Sequence, residues 1–101
     1  MTNYPQCVNL ININMGNTFK TDHYGAKRWE LPNGHLHREN GPAIEYKDGT
    51  KSWWKNNELH REDGPAIEFA NGDKFWYLND IEYTEDEHKS KVRSRRLKKL
   101  L

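Results

Sequence analysis

The side chains best equipped for chemistry in this chain are two His-Arg pairs. His37-Arg38 and His60-Arg61 recur in one context, His-Arg-Glu-Asn/Asp-Gly-Pro-Ala, at 37–43 and 60–66. An imidazole beside a guanidinium can hold phosphate, and His35, two residues before His37, adds a second imidazole that could enter a metal site. A zinc site, however, needs three or four clustered ligands, and nothing near His35 and His37 supplies the others. A position that repeats together with its neighbours is better read as architecture, with His and Arg tying one turn to the next through hydrogen bonds. Neither a metal nor a cofactor is expected. Cys7 is the single cysteine, which excludes an intrachain disulfide and suits a reducing cytoplasm. It has no basic neighbour or helix start to stabilise a thiolate. The acid clusters Glu62-Asp63 and Glu85-Asp86-Glu87 fall in a turn and at a helix start, where carboxylates have structural uses. There is no phosphate-cradling glycine loop and no nucleophile elbow, so catalysis is not expected.

What positions these residues is a repeat. HRENGPAIEYKDGTKSWWKN (37–56) is followed by HREDGPAIEFANGDKFWYLN (60–79), with His37/His60, Gly41/Gly64, Gly49/Gly72, Trp53/Trp76 and Asn56/Asn79 all 23 apart. A fixed period in this range is the signature of a repeat architecture. Gly25-Ala26-Lys27-Arg28-Trp29 echoes Gly49 to Trp53 at an offset of 24, a decayed first copy with one residue inserted near Pro32. Each copy reads as a β-hairpin. Asp48-Gly49 and Asn71-Gly72 suit a two-residue type I′ turn, which sets Ile44 opposite Trp53, Tyr46 opposite Lys51, Ile67 opposite Trp76 and Phe69 opposite Lys74. One face then carries Ile44, Tyr46, Trp53, Ile67, Phe69 and Trp76. The other carries Ala43, Glu45, Trp54, Ala66, Glu68, Phe75 and Tyr77, and this mixed face is the expected contact surface, with Trp54, Phe75 and Tyr77 as partner-binding residues. Between hairpins, Gly41 and Gly64 are read as positive-φ positions, and Pro42 and Pro65 as fixing φ at the next strand's start.

The pattern HRxDGPAIExxxGxKxWYxN resembles the degenerate MORN-like repeats of small proteins from bacteriophages and large DNA viruses. The resemblance spans 25–83 and rests on the repeated His, Arg, Gly, Pro, Ala and paired aromatics. It implies a single-layer meander of hairpins that acts as an interaction scaffold and not as an enzyme. It also implies a phage-encoded protein of the host cytoplasm that binds a host protein or complex and modulates or inhibits it, in host takeover or anti-defence.

The rest of the chain frames that reading. At 101 residues, with 34% hydrophobic and 31% charged, it makes one domain with a modest core, in which the 12% aromatic content supplies much of the buried area. No 18-residue apolar run and no signal-peptide pattern is present, so neither a membrane partner nor secretion is expected. The alternation of Asn with branched apolar residues over 8–15 reads as a strand, with a turn at Gly16-Asn17. The segment 1–24 is an N-terminal strand and lead-in, 25–83 the repeats, and 84–101 a helix begun by a Thr84–Glu87 capping box. The fold class expected is mainly β, an antiparallel meander with one C-terminal α-helix.

Charge divides sharply at the helix. Residues 1–87 hold all 15 acids and nine bases, a net of −6, while 88–101 hold Lys89, Lys91, Arg93, Arg95, Arg96, Lys98 and Lys99 without an acid. Such asymmetry points to an anionic contact for the tail, with Arg93, Arg95, Arg96, Lys98 and Lys99 as its binding residues. Three readings stand. The tail docks on a partner protein, binds nucleic-acid phosphate as an accessory factor, or folds back on its own acidic body. The chain is expected to be a monomer or a small homo-oligomer joined through open sheet edges.

Overall fold

The structure, a computed structural model, describes residues 18–100, with side chains to residue 98. The strand expected over 8–15, the turn at Gly16-Asn17, Cys7 and the side chain of Lys99 lie outside the described residues. Among the described residues nine short strands precede one helix: β1 (Thr18–Thr21), β2 (Lys27–Glu30), β3 (Ile44–Glu45), β4 (Lys51–Ser52), β5 (Trp54–Lys55), β6 (Glu58–Leu59), β7 (Ile67–Glu68), β8 (Lys74–Leu78), β9 (Ile81–Tyr83) and α1 (Glu85–Leu100). Seven form one antiparallel sheet in the order β9-β8-β7-β4-β3-β2-β1, and β5 pairs with β6. The fold is mainly β, an open antiparallel meander closed by one helix, and measures only 17 Å in its shortest dimension.

Each repeat uses two kinds of turn, and their assignment corrects the expected register. The two-residue turn with positive φ at both positions is Asn56-Asn57 (φ 50 and 68), and again Asn79-Asp80 with the same values. Asn and Asp tolerate the left-handed region better than other side-chain-bearing residues, so these pairs serve without glycine. At the Asp-Gly and Asn-Gly sites only Gly49 and Gly72 have positive φ (98 and 99). There Tyr46 N–H donates to Thr50 C=O and Phe69 N–H to Asp73 C=O, closing three-residue loops, 47–49 and 70–72. Asp48 Oδ1 and Asn71 Oδ1 each accept the backbone N–H two residues on, at 2.8 and 2.9 Å. This is the turn that ends in a left-handed glycine.

The extra loop residue shifts the ladder by one. Ile44 lies opposite Ser52 and Glu45 opposite Lys51, while Ile67 lies opposite Phe75 and Glu68 opposite Lys74. A slip of one residue turns a whole strand over. Trp54, Phe75 and Tyr77 therefore share a face with Ile44, Tyr46, Ile67 and Phe69, and Trp53 and Trp76 join Ala43, Glu45, Ala66 and Glu68 on the other. The inserted residue near Pro32 takes the form of a longer turn. Leu31 N–H donates to His35 C=O around Pro32-Asn33-Gly34, where the later copies close in two residues.

The apolar cluster is small: Ala26, Leu36, Ala43 and Ile44 are buried, with Trp54 packed against them. At the far end α1 lies against β8 and β9. Thr84 Oγ1 accepts from Glu87 N–H at 3.2 Å, and Glu87 Oε1 from Thr84 N–H at 2.9 Å, a reciprocal cap that satisfies two helix-start donors. The helix turns His88 and Val92, one turn apart, inward, and Leu78 on β8 is fully buried there.

Candidate functional site

The sheet face that carries the tryptophans is built as a row of stations. In the first, the Arg38 guanidinium lies 3.7 Å from the Trp29 ring centroid, and in the second Arg61 lies 3.8 Å from Trp53. Each arginine then donates through Nη1 to a proline carbonyl (Pro42 or Pro65, both 3.1 Å) and to a strand carboxylate, Glu45 at 3.2 Å or Glu68 at 2.9 Å. Gly41 and Gly64 do not adopt positive φ, which corrects the sequence reading. Their use is close approach: a Cβ on Gly41 would meet Arg38 Cζ at 3.2 Å, and one on Gly64 would meet Arg61 Cζ at 2.9 Å. The guanidinium is thus held flat between an aromatic ring and a bare backbone.

The histidines join one repeat to the next. His37 Nδ1 accepts from Asn56 N–H at 3.0 Å, and His60 Nδ1 from Asn79 N–H at 3.1 Å. With Nδ1 accepting, the proton sits on Nε2, which faces Glu39 at 2.7 Å in the first case and Glu62 at 3.7 Å in the second. Burial holds the pKa of His60 below its ordinary value, with Lys55 and Arg95 adding to the effect and Glu62 opposing it. The hydrogen bond from His37, with Lys55 alongside, holds the Glu39 carboxyl below the usual carboxylate range. The turn residues stack too: Asn57 Oδ1 accepts from Leu36 N–H at 3.2 Å and Asp80 Oδ1 from Leu59 N–H at 2.7 Å. Among the described residues no group of three or more His, Cys, Asp or Glu is placed to hold a metal ion.

The opposite face is apolar, and no layer covers it among the described residues. Tyr46, Phe69 and Phe75 are 44%, 43% and 37% exposed, although they are large and apolar. Phe69 and Phe75 meet edge to face at 5.6 Å. A shallow depression between the repeats is lined by Tyr46, Trp54, Leu59, Ile67 and Phe69, with Thr50 and Ser52 at its floor and Asp48 on its rim. Ser52 Oγ accepts from the Trp54 indole N–H at 2.8 Å, so the indole's one polar group is satisfied. Tyr77 is half-buried on this face, and burial, together with Glu82 and Asp80, pushes its phenol up.

The basic residues of α1 divide by direction. Arg95 Nη1 donates to Asn79 Oδ1 at 3.0 Å, and His88 Nε2 lies 2.6 Å from Arg61 C=O, so the helix is bonded back to the repeat turns. Arg93 and Arg96 line a groove between α1 and β8 that also takes in Trp76, and Lys98 is exposed. Trp54, Phe75 and Tyr77 therefore share one surface, and Arg93 and Arg96 belong to another. Sequence reasoning missed the Trp–Arg stations. Their signal was an arginine eight or nine residues after each of Trp29 and Trp53, with a glycine three residues beyond it. No family model matches the chain, and neither does any curated protein or solved structure. Among the described residues no helix is long and apolar enough to cross a membrane.

Proposed function

We propose that this chain is a non-catalytic binding module whose apolar sheet face docks on a protein partner. One observation carries the reading: Tyr46, Phe69 and Phe75, with Trp54 and Ile67 beside them, form a contiguous aromatic surface that no layer of this chain covers among the described residues. A sheet with an apolar face normally buries it against a second layer, and exposed patches of this kind mark interaction sites. Aromatic side chains on a rigid strand scaffold are the usual anchors of such contacts. The repeat body that frames the face, residues 25–83, holds eleven acids and eight bases, a net of −3, so the fitting partner surface has an apolar centre and a basic rim. In the setting implied by the resemblance to viral repeat proteins, that partner is a host component modulated by occupation of its surface.

The test compares the native chain with a Tyr46→Ser/Phe69→Ser variant. Both side chains are substantially exposed, so the variant should melt close to the native temperature. A protein captured from host lysate is purified and titrated against both forms. One-to-one binding that weakens at least tenfold in the variant supports the reading. Equal binding by both forms overturns it, and so does self-association of the native chain that disappears in the variant, because the face would then be an interface between copies.

A further inference from the structure

The groove between β8 and α1 carries a charge imbalance that its own ion pairs do not remove. Three carboxylates, Glu62, Asp63 and Glu85, and four bases, Lys74, Lys89, Arg93 and Arg96, stand around Trp76. Two of the carboxylates are paired with a permanent cation, Asp63 with Arg61 Nε at 3.0 Å and Glu85 with Lys89 at 3.3 Å, while Glu62 stands 3.7 Å from the His60 imidazole and keeps its charge. Glu68, opposite Lys74 in register, is taken by Arg61 at 2.9 Å. Among the described residues, Lys74, Arg93 and Arg96 have no carboxylate within ion-pair reach. Three cations without an ion-pair partner, against the single carboxylate of Glu62, thus converge on one groove beside one aromatic wall.

That wall is itself an exception in the row. Trp29 and Trp53 are each covered by the arginine that opens the following copy, but the position 23 residues after Arg61 is Thr84, the helix cap. Among the described residues no guanidinium is stacked on Trp76, and its ring lines the groove together with Pro65, Val92 and Leu97. The groove encloses about 660 Å³, within the range of small-molecule sites.

We propose that this groove binds a nucleoside phosphate, with the phosphate across Lys74, Arg93 and Arg96 and the base against Trp76. The cations alone would accept any anion. The aromatic wall beside them adds a surface for a flat π-system, which every nucleobase has and an acidic peptide lacks. Pairing of cations with a stacking ring is the usual construction of sites for unpaired nucleotides, and it tolerates any base. The site lies on the face of β8 away from Phe75 and Tyr77, so it is separate from the apolar docking face. The ligand comes from one of two sources, a free nucleotide or a single-stranded nucleic acid.

The experiment titrates the full chain with AMP, with a ten-residue oligothymidylate and with a decaglutamate peptide at 50 and 200 mM salt, read by calorimetry and tryptophan fluorescence. Saturable binding of AMP or of the oligonucleotide is expected, with quenching that is lost in Trp76→Phe. Oligonucleotide binding that falls steeply with salt assigns a strand as the ligand, whereas equal affinity for AMP with a shallow salt slope assigns the free nucleotide. Arg93→Gln/Arg96→Gln should weaken binding at least tenfold. Lys91→Gln/Lys98→Gln removes the same charge from exposed positions outside the groove and should weaken it less than threefold. All four side chains are exposed, so these variants should fold, which their melting curves will check. Equal losses in the two double variants overturn the site, as does decaglutamate binding as tightly as the oligonucleotide, or an absence of binding by both nucleotide ligands at 50 mM salt.

Discussion

Gly64→Ala tests the stacked station directly. An alanine Cβ there would lie 2.9 Å from Arg61 Cζ and 3.1 Å from Nε and Nη1, closer than real contacts allow, so the guanidinium must move. It ends a flexible side chain and can swing away cheaply. The cost is what it leaves behind. The stack on Trp53 is worth about 1 kcal/mol at a partly exposed site. The bond to Pro65 C=O adds about 1.5 kcal/mol. The pair with Glu68 adds about 0.5 kcal/mol, and the pair with Asp63, whose side chain is 79% exposed, close to nothing. Against roughly 3 kcal/mol lost, alanine recovers about 0.4 to 1 kcal/mol by restricting the unfolded chain. A net destabilisation of about 2 kcal/mol follows, a melting temperature lower by roughly 10 °C for a domain of this size. Gly41→Ala needs a shift of only a few tenths of an ångström, since its Cβ would stand 3.2 Å from Arg38 Cζ, and should fall within about 0.5 kcal/mol of the native chain. Urea denaturation of both variants, of Arg61→Met, and of Gly64→Ala in the Arg61→Met background completes a double-mutant cycle at 61 and 64. If Gly64→Ala costs as much without the guanidinium as with it, close packing against Arg61 is not why a glycine stands there.

Three further outcomes follow from the turns and the helix start. Asp80→Ala removes the acceptor for Leu59 N–H and puts alanine at φ 68, so it should cost about 2 kcal/mol in denaturant melts. Because burial lowers the His60 pKa in the folded state, the unfolded chain binds more protons just below pH 6.5. The stability His60 contributes is present above that pH and is lost as pH falls toward its folded pKa; His60→Asn, which keeps an acceptor but does not titrate, should flatten the decline between pH 7.5 and 5.5. Thr84→Ala breaks the capping box and should cost about 1 kcal/mol, seen as earlier loss of helical circular dichroism on heating.

The parts legible in the sequence were those carried by local chemistry. The period, a hairpin in each copy, the extra residue beside Pro32 and the cap at Thr84 each depend on residues within a few positions of one another. Register did not, because an Asp-Gly pair fits a two-residue loop with both residues left-handed and a three-residue loop with only the glycine so, and the choice decides which face Trp53 and Trp54 occupy. The deciding clue was Asn56-Asn57: a repeat that already contains one two-residue turn leaves the Asp-Gly site free to close in three. Gly41 and Gly64 were misread because the reason for a glycine there, a guanidinium folded back from Arg38 or Arg61, exists only once the loop has closed over the tryptophan.

The end of the row shows how a repeat becomes a cap, and why the basic tail is not a single feature. Where the middle copy has Lys55, the last has Leu78, fully buried where α1 lies against β8. Where Arg61 follows the middle copy, Thr84 follows the last, and the chain enters a helix at the point where it otherwise leaves the sheet for the Arg-Glu-Asp-Gly-Pro loop. These two replacements close the stack by burying Leu78, while they leave Trp76 without the arginine its neighbours have. The bases of α1 whose side chains are described divide according to this geometry, with Lys89 paired to Glu85 within the helix. Arg95 is spent on Asn79, Arg93 and Arg96 face the groove at Trp76, and Lys91 and Lys98 face outward. Deleting 92–101 would remove the buried Val92 and the Arg95 bond to Asn79, so it cannot separate binding from folding. Reversing 93, 95 and 96 together would likewise mix a groove effect with a broken tie to the turn. Only substitutions sorted by face distinguish the charge that holds the helix down from the charge that is left to meet a ligand.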